Sequence, residues 1–166
     1  INFFTSVVAC EPGHYKNEVR NQHECYSCLP GQYQSATAAS DCDSCGEGTY
    51  ANQDGMAECT ACVDGASTYN GDTLYLGASG IQYCLCKPGF IGTASTGIPC
   101  QACAAGKYTN IPGLTFCTEC VAGTYASVTA ASTCDACAPG TYADAYASTA
   151  CEDCVAGTYA SLSEAT

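Results

Sequence analysis

The sequence predicts a small disulfide-rich fold, an extended rod of stacked β-hairpin or loop repeats of about 17 residues, with little helix and no large hydrophobic core. Three observations predict it. The chain has 17 cysteines among its 166 residues, and these cysteines recur with a regular period. Leu, Ile, Val and Phe together number only 22. An acidic chain with so few large apolar residues would stay unfolded if its thiols were reduced, so oxidised cysteines must stand in for a core.

Residues 1–9 come first, and they contain no cysteine. The apolar side chains Phe3, Phe4, Val7 and Val8 give this segment the composition of a β-strand. We interpret it as an assembly strand that pairs with a preceding module or inserts into a neighbouring subunit, or else as an ordinary connection from a preceding domain. Since the chain begins without Met or a basic leader, we expect that a secretory signal has already been removed.

Cysteine doublets divide the rest of the chain into nine units. The first opens at Cys10, and each later unit opens at the second cysteine of a doublet. The openings are Cys10, Cys28, Cys45, Cys62, Cys86, Cys103, Cys120, Cys137 and Cys154. The unit that opens at Cys62 is expanded and closes at Cys84, where the doublet shortens to Cys84-Leu85-Cys86. This is the irregular point of an otherwise regular array.

A glycine stands three residues after every opening cysteine, and in seven units a tyrosine follows two residues later. The glycines are Gly13, Gly31, Gly48, Gly65, Gly89, Gly106, Gly123, Gly140 and Gly157. This regularity predicts a turn that needs positive φ or a close approach of the backbone. We expect a short strand, a loop and a return strand in each unit, with the tyrosine supplying most of the buried apolar area. We also expect each unit to contact only its sequence neighbours.

Sequence alone does not fix how the cysteines pair. If each opening cysteine closes on the first cysteine of the next doublet, the period gives eight pairs: Cys10 with Cys25, Cys28 with Cys42, Cys45 with Cys59, Cys62 with Cys84, Cys86 with Cys100, Cys103 with Cys117, Cys120 with Cys134, and Cys137 with Cys151. Cys154 is left over, which indicates either a segment of a longer array or a bond to another chain. Zinc binding by the doublets is the weaker alternative, because the doublets form an unbroken series rather than groups of four ligands.

Units such as Cys120-Val121-Ala122-Gly123-Thr124-Tyr125 carry a motif that resembles the ephrin-receptor-like cysteine-rich repeat and, more loosely, the first module of tumour-necrosis-factor-receptor repeats. The stretch Cys84-Leu85-Cys86-Lys87-Pro88-Gly89-Phe90 resembles the end of an EGF-like module. The resemblance implies receptor ectodomains or large extracellular proteins of algae and protists, among them the fibrous flagellar hairs called mastigonemes.

On this basis we divide the chain into four parts. Residues 1–9 are the strand or linker, residues 10–61 are three cysteine-rich repeats, residues 62–102 are the expanded unit and the EGF-like unit, and residues 103–166 are four repeats of which the last is incomplete.

Composition excludes several classes of function. Only four residues are basic and the net charge is −12, so we expect no nucleic-acid partner, and no apolar run is long enough for this segment to enter a membrane. His14 and His23 lie near no nucleophile motif, which predicts that the chain is not an enzyme. We expect no cofactor. The acidic pairs Asp41 with Asp43 and Glu152 with Asp153 lack EF-hand spacing and indicate a solvated face rather than a calcium site, while the many Thr and Ser hydroxyls suit O-linked glycans.

Two functions then compete for a secreted or cell-surface protein. The first is a structural subunit of an extracellular filament or matrix, which assembles with copies of itself or neighbouring extracellular proteins through repeated contacts. The regular, short Ala/Ser/Thr loops favour this hypothesis. The alternative is a ligand-binding or adhesion ectodomain of a receptor, whose contact patch would be the irregular insert at residues 65–80.

Overall fold

The computed structural model describes residues 9–17 and 24–155. Within these ranges the chain forms short β-strands and two 3₁₀ turns, at Ile81–Tyr83 and Ala94–Thr96, so the predicted disulfide-rich repeat fold with little helix is confirmed. The strands are β1 (His14–Lys16), β2 (Cys25–Ser27), β3 (Gln32–Tyr33), β4 (Asp43–Ser44), β5 (Thr49–Tyr50), β6 (Thr60–Ala61), β7 (Ala66–Asn70), β8 (Thr73–Leu74), β9 (Cys84–Cys86), β10 (Phe90–Ile91), β11 (Gln101–Ala102), β12 (Lys107–Tyr108), β13 (Thr118–Glu119), β14 (Thr124–Tyr125), β15 (Asp135–Ala136), β16 (Thr141–Tyr142) and β17 (Glu152–Asp153).

Each regular unit is one antiparallel hairpin. The first strand begins directly after the repeated glycine and includes the tyrosine, as in β12, where Lys107 lies opposite Glu119 and Tyr108 opposite Thr118. The return strand is the pair of residues between the two cysteines of a doublet, as β13 lies between Cys117 and Cys120. The Cys-x-x-Cys spacing is therefore the length of a two-residue return strand. In the expanded unit a three-stranded sheet in the order β8-β7-β9 replaces the simple hairpin.

Eight disulfides close the units. The structure pairs Cys10 with Cys25, Cys28 with Cys42, Cys45 with Cys59, Cys62 with Cys84, Cys86 with Cys100, Cys103 with Cys117, Cys120 with Cys134, and Cys137 with Cys151. Each bond joins the opening cysteine of a unit to the cysteine that closes the same unit. The paired Cα atoms are 5.6 to 5.8 Å apart, the usual spacing for a disulfide.

In the regular units, the core consists mainly of opening cysteines and of residues that follow a tyrosine, such as Ala51, Thr109, Ala126 and Ala143. Cys28, Cys45 and Cys120 are completely buried, as is Ala51, and Thr109 is 1% exposed. The share of the buried area that the tyrosines supply stays a prediction, but the repeat tyrosines are less completely buried than Ala51 and Thr109, which follow two of them. The reason is strand alternation: if the residue after the tyrosine points inward, the tyrosine must point toward the other face.

A backbone ladder links each unit to the next one. The N–H of the repeated glycine donates to the carbonyl of the residue after the next unit's tyrosine, as Gly31 does to Ala51 at 2.8 Å and Gly106 to Ala126 at 2.8 Å. A second bond runs back, because the N–H of Ala147 donates to the carbonyl of Cys120 at 2.8 Å. Backbone groups that a two-stranded hairpin leaves unpaired thus find partners in the neighbouring unit.

Contacts also reach the next unit but one. A Cβ placed on Gly106 would overlap the carbonyl oxygen of Ala147, which lies two units further along the chain. Gly13 stands in the same relation to Gly55, and Gly89 to Ala130. The expectation that units contact only their sequence neighbours is therefore wrong, because the chain winds so that alternate units approach at the glycine.

The chain divides into two compact bodies. Of the described residues, those up to Cys62 and Ser67–Cys84 form the first body, and Val63–Ala66 and those from Leu85 onward form the second. The regular ladder and the alternate-unit contact occur within each body. In the part of the chain that the structure describes, no helix reaches the length and apolarity that crossing a bilayer requires.

Candidate interaction surface

The insert at residues 65–80, the patch that the receptor hypothesis singles out, forms a hairpin of β7 and β8. Asn70 pairs with Thr73 across the two-residue turn Gly71-Asp72. Gly71 has a φ of +66°, which is the left-handed conformation that the first central residue of a type II′ turn requires. The sequence Asn-Gly-Asp-Thr therefore closes this hairpin locally.

One face of the hairpin is anchored by Thr68, which has no exposed surface. Its hydroxyl donates to the carbonyl of Tyr75 at 2.6 Å and accepts the N–H of Gly48 at 3.1 Å. In regular units a backbone carbonyl accepts this glycine bond, so Thr68 replaces a main-chain group with a side chain. Sequence reasoning missed this role, because a threonine in a strand gives no signal of what its hydroxyl accepts.

The aromatic residues of the insert are partly buried. Tyr69 is 9% exposed, and burial, followed by the nearby charge of Glu47, raises its pKa. The rings of Tyr75 and Tyr83 lie with their centroids 4.9 Å apart in a tilted arrangement, a favourable aromatic contact. These contacts fix the base of the hairpin and leave its tip to the solvent.

Two leucines of the insert remain exposed, Leu74 at 49% and Leu76 at 60%. Large apolar side chains exposed on a fixed hairpin suit protein contact rather than chemistry. The insert presents one aspartate, Asp72, together with hydroxyls and tyrosines, but it holds no nucleophile beside a base.

The remaining predicted residues lie outside the insert. The assembly strand with Phe3, Phe4, Val7 and Val8 lies outside the described residues, as does His23. Cys154 is a half-buried free cysteine, and what it pairs with stays a prediction. His14 forms a ring contact of 3.3 Å with the carbonyl of Pro12 in the same turn.

The acidic residues take local structural roles. Asp41 accepts the N–H of Cys42 at 2.8 Å, and Glu152 accepts the hydroxyl of Tyr142 at 3.2 Å. Asp43 and Asp153 are exposed. Among residues 9–17 and 24–155, no three His, Cys, Asp or Glu side chains gather as metal ligands would, and no cofactor is indicated.

Comparison with known proteins matches residues 31–84 to the family model described as tyrosine-protein kinase ephrin type A/B receptor-like. No curated protein matches the chain. The matched stretch runs from Gly31 through the whole expanded unit to Cys84, and so includes the exposed leucines. Residues 31–84 are therefore similar to a receptor-like cysteine-rich repeat, a disulfide-rich module of the extracellular or cell-surface type and not of an enzyme class.

Proposed function

We propose that this chain is part of the adhesion or ligand-binding ectodomain of a cell-surface protein, and that its expanded unit is the contact surface. The observation that carries this proposal is the exposure of Leu74 and Leu76 on a hairpin whose other face is held by Thr68. The similarity of residues 31–84 to a receptor-like repeat supports the same function.

The regular units suit a supporting role. Each is closed by a disulfide and bonded through its backbone to the next unit, so neighbouring units hold one another in register. Such a scaffold keeps an exposed hairpin in one conformation, which lowers the entropy cost of binding. Apolar anchors on a rigid support are the usual source of binding energy at protein interfaces.

A filament or matrix subunit is the second candidate, and the repeated ladder favours it. Because the same glycine and carbonyl atoms recur in unit after unit, the chain presents near-identical surfaces at regular intervals. Repeated surfaces of this kind allow open-ended, head-to-tail contacts between copies.

The double variant L74D/L76D tests the ectodomain proposal. A fluorescent, tetramerised form of the chain is applied to cells of the source organism, and bound fluorescence is measured against concentration. We expect the variant to lose about tenfold or more in apparent affinity, because two charges replace the apolar anchors.

The variant I98D/V128D is the matched control, since Ile98 and Val128 are exposed at 65% and 64% but lie outside the insert. It should bind as the parent chain does. Equal losses in both variants, or none in L74D/L76D, would rule out the insert as the contact surface.

Sedimentation velocity and electron microscopy of the parent chain separate the two functions, because a filament subunit forms open polymers and an ectodomain stays monodisperse.

A further inference from the structure

Two surface cavities in the second compact body occupy equivalent places one unit apart. The first has a volume of about 330 Å³ and is lined by Tyr108, Thr118, Glu119, Val121, Thr124, Thr133 and Cys134. The second has a volume of about 440 Å³ and is lined by Tyr125, Ser127, Ala136, Ala138, Thr141, Thr149, Ala150 and Cys151. Both volumes fall in the range of small-molecule sites, about 300 to 1,000 Å³.

Six lining positions of the two cavities correspond at a spacing of 17 residues, whereas Thr118 lines only the first cavity and Ser127 and Thr149 line only the second. Each has the repeat tyrosine of one unit on one side and, on the other, the threonine that follows the next unit's glycine, which is Thr124 in the first cavity and Thr141 in the second. The residue after the opening cysteine, Val121 or Ala138, lies between them in sequence and completes the apolar part. The groove therefore recurs between these two successive pairs of neighbouring units.

The lining is almost free of net charge, although the chain carries −12. The one carboxylate among the lining residues, Glu119, forms an ion pair with Lys107 at 3.0 Å. Asp135 faces Tyr125 across the hairpin but does not line the cavity. What remains is a half-buried tyrosine ring, small apolar side chains and several hydroxyls.

The threonine hydroxyls have a fixed orientation. Thr124 donates to the carbonyl of Val121 at 2.8 Å, and Thr141 donates to the carbonyl of Ala138 at 2.8 Å. Since each hydroxyl has one proton and two lone pairs, both are left as acceptors for a ligand's O–H group. Thr118 and Thr133 add exposed hydroxyls at the first cavity.

We propose that these two grooves bind a neutral, linear oligosaccharide, one stretch of sugar per groove. A pyranose ring has an apolar face of C–H groups that packs on an aromatic ring, and an edge of hydroxyls that bonds to threonines. An anionic polymer is disfavoured by the charge of the chain, because like charges repel. A long ligand that occupies both grooves gains affinity from the second contact, which then forms within the same complex.

The test uses the oxidised chain with cellohexaose, xylohexaose and mannohexaose as neutral probes and hexagalacturonate as the charged probe. Isothermal titration measures each affinity. We expect at least one neutral hexasaccharide to bind more tightly than hexagalacturonate, and we expect its disaccharide to bind much more weakly. Binding of hexagalacturonate alone, or of no probe, would overturn the proposal.

Substitutions of the groove tyrosines test whether the oligosaccharide binds at these two grooves. Y108A and Y125A should each weaken binding by about fivefold to tenfold, because each removes one stacking ring, whereas Y108F/Y125F keeps the rings and should retain the affinity. The control Y15A/Y33A removes tyrosines at the same repeat position in the first compact body, where Tyr15 lies opposite Tyr26 and Tyr33 opposite Asp43. Mass spectrometry verifies eight disulfides in each variant. Equal loss in Y15A/Y33A and Y108A/Y125A would assign the effect to the fold and refute a site at these grooves.

Discussion

Glycine occupies the same position in every unit because two demands meet there. In the eight described units its φ lies between +72° and +88°, a region that L-residues enter at a cost of about 1 to 2 kcal/mol. In several units the carbonyl of the next unit but one also lies where a Cβ would be. The conformational demand acts at all eight of these glycines, and a carbonyl of the alternate unit adds the steric demand at Gly13, Gly31, Gly89 and Gly106.

Gly106 and Gly140 separate these two demands. They have nearly the same φ, +82° and +88°, but a Cβ on Gly106 would overlap Ala147, while a Cβ on Gly140 meets none of the described residues within 4 Å. We expect G140A to lower the free energy of unfolding by about 1 kcal/mol, and G106A to lower it by about 1 to 3 kcal/mol more. Guanidinium unfolding of the oxidised chain measures both. Equal costs would refute the alternate-unit contact.

A second residue-level feature is alanine in the left-handed region. Ala38, Ala130 and Ala147 have φ near +58°, at the position four residues before the closing cysteine where Gly55 and Gly113 stand in other units. An alanine Cβ strains this conformation.

Substitution with glycine should relieve that strain. We expect A130G and A147G each to raise the free energy of unfolding by about 0.5 kcal/mol, the strain relieved less the greater entropy of glycine in the unfolded chain. A143G, at a buried alanine outside the left-handed group, is the control and should destabilise. Thermal unfolding compares the three, and a loss of stability in A130G equal to that in A143G would contradict this explanation.

At the level of the hairpin, the last described unit carries a cross-strand hydrogen bond that alters an acid–base equilibrium. Tyr142 and Glu152 are register partners in β16 and β17. The hydrogen bond to Glu152, followed by that carboxylate's negative charge, raises the pKa of Tyr142 above its ordinary 10.0.

Replacing that carboxylate should restore the ordinary value. We expect E152Q to lower the pKa of Tyr142 toward 10.0, measured by a pH titration of tyrosine absorbance or NMR shifts. Since the pKa of Tyr142 is higher in the folded state, the stability that this hydrogen bond contributes is fully present below the unfolded-state pKa. It is lost as the pH rises through the folded-state pKa. E119Q, which alters a different hairpin, should leave the pKa of Tyr142 unchanged. An unchanged pKa in E152Q would contradict the assignment.

Disulfide removal tests how far one hairpin supports its neighbours. We expect C120A/C134A to cost about 2 to 4 kcal/mol, because the unfolded chain gains the freedom of an open loop. Amide exchange should accelerate at Ala147, whose N–H bonds to the carbonyl of Cys120, and at Gly106, whose N–H bonds to Ala126. Amides of the first body, such as Gly31 and Gly55, should exchange as before. If amide exchange accelerated equally throughout the chain, the disulfide would not act only on its own unit and the neighbouring units.

The sequence predicts the hairpins well, since glycine and the doublets repeat and each has one dominant physical use. It does not predict which face is buried. Tyrosine is the largest residue of the repeat, yet Ala51, Thr109 and Ala126 are the residues that point inward. An alanine in the sequence also gives no indication of a positive φ. The strained turn at Ala130 can therefore be recognised only by aligning this residue with Gly113. The role of Thr68 and the position of the paired grooves depend on how neighbouring units wind against one another. A sequence pattern carries no information about that winding.

The whole molecule has few large apolar residues and a net charge of −12. Burial of apolar surface therefore offsets little of the conformational entropy lost on folding, and covalent bonds must do so instead. Each bridge over about fifteen residues contributes roughly 3 kcal/mol in the chain-entropy model. The backbone ladder adds hydrogen bonds, but these form only when the units are already closed. Cystine bridges are thus the condition for the remaining contacts.

The decisive experiment compares amide hydrogen exchange at neutral pH in the oxidised chain and in the fully reduced, alkylated chain. We expect strong protection of the ladder amides, such as Gly31 and Gly106, in the oxidised form and complete loss of that protection after reduction. Ladder amides that remained protected without their disulfides would contradict this expectation, because the fold would then rest on packing alone.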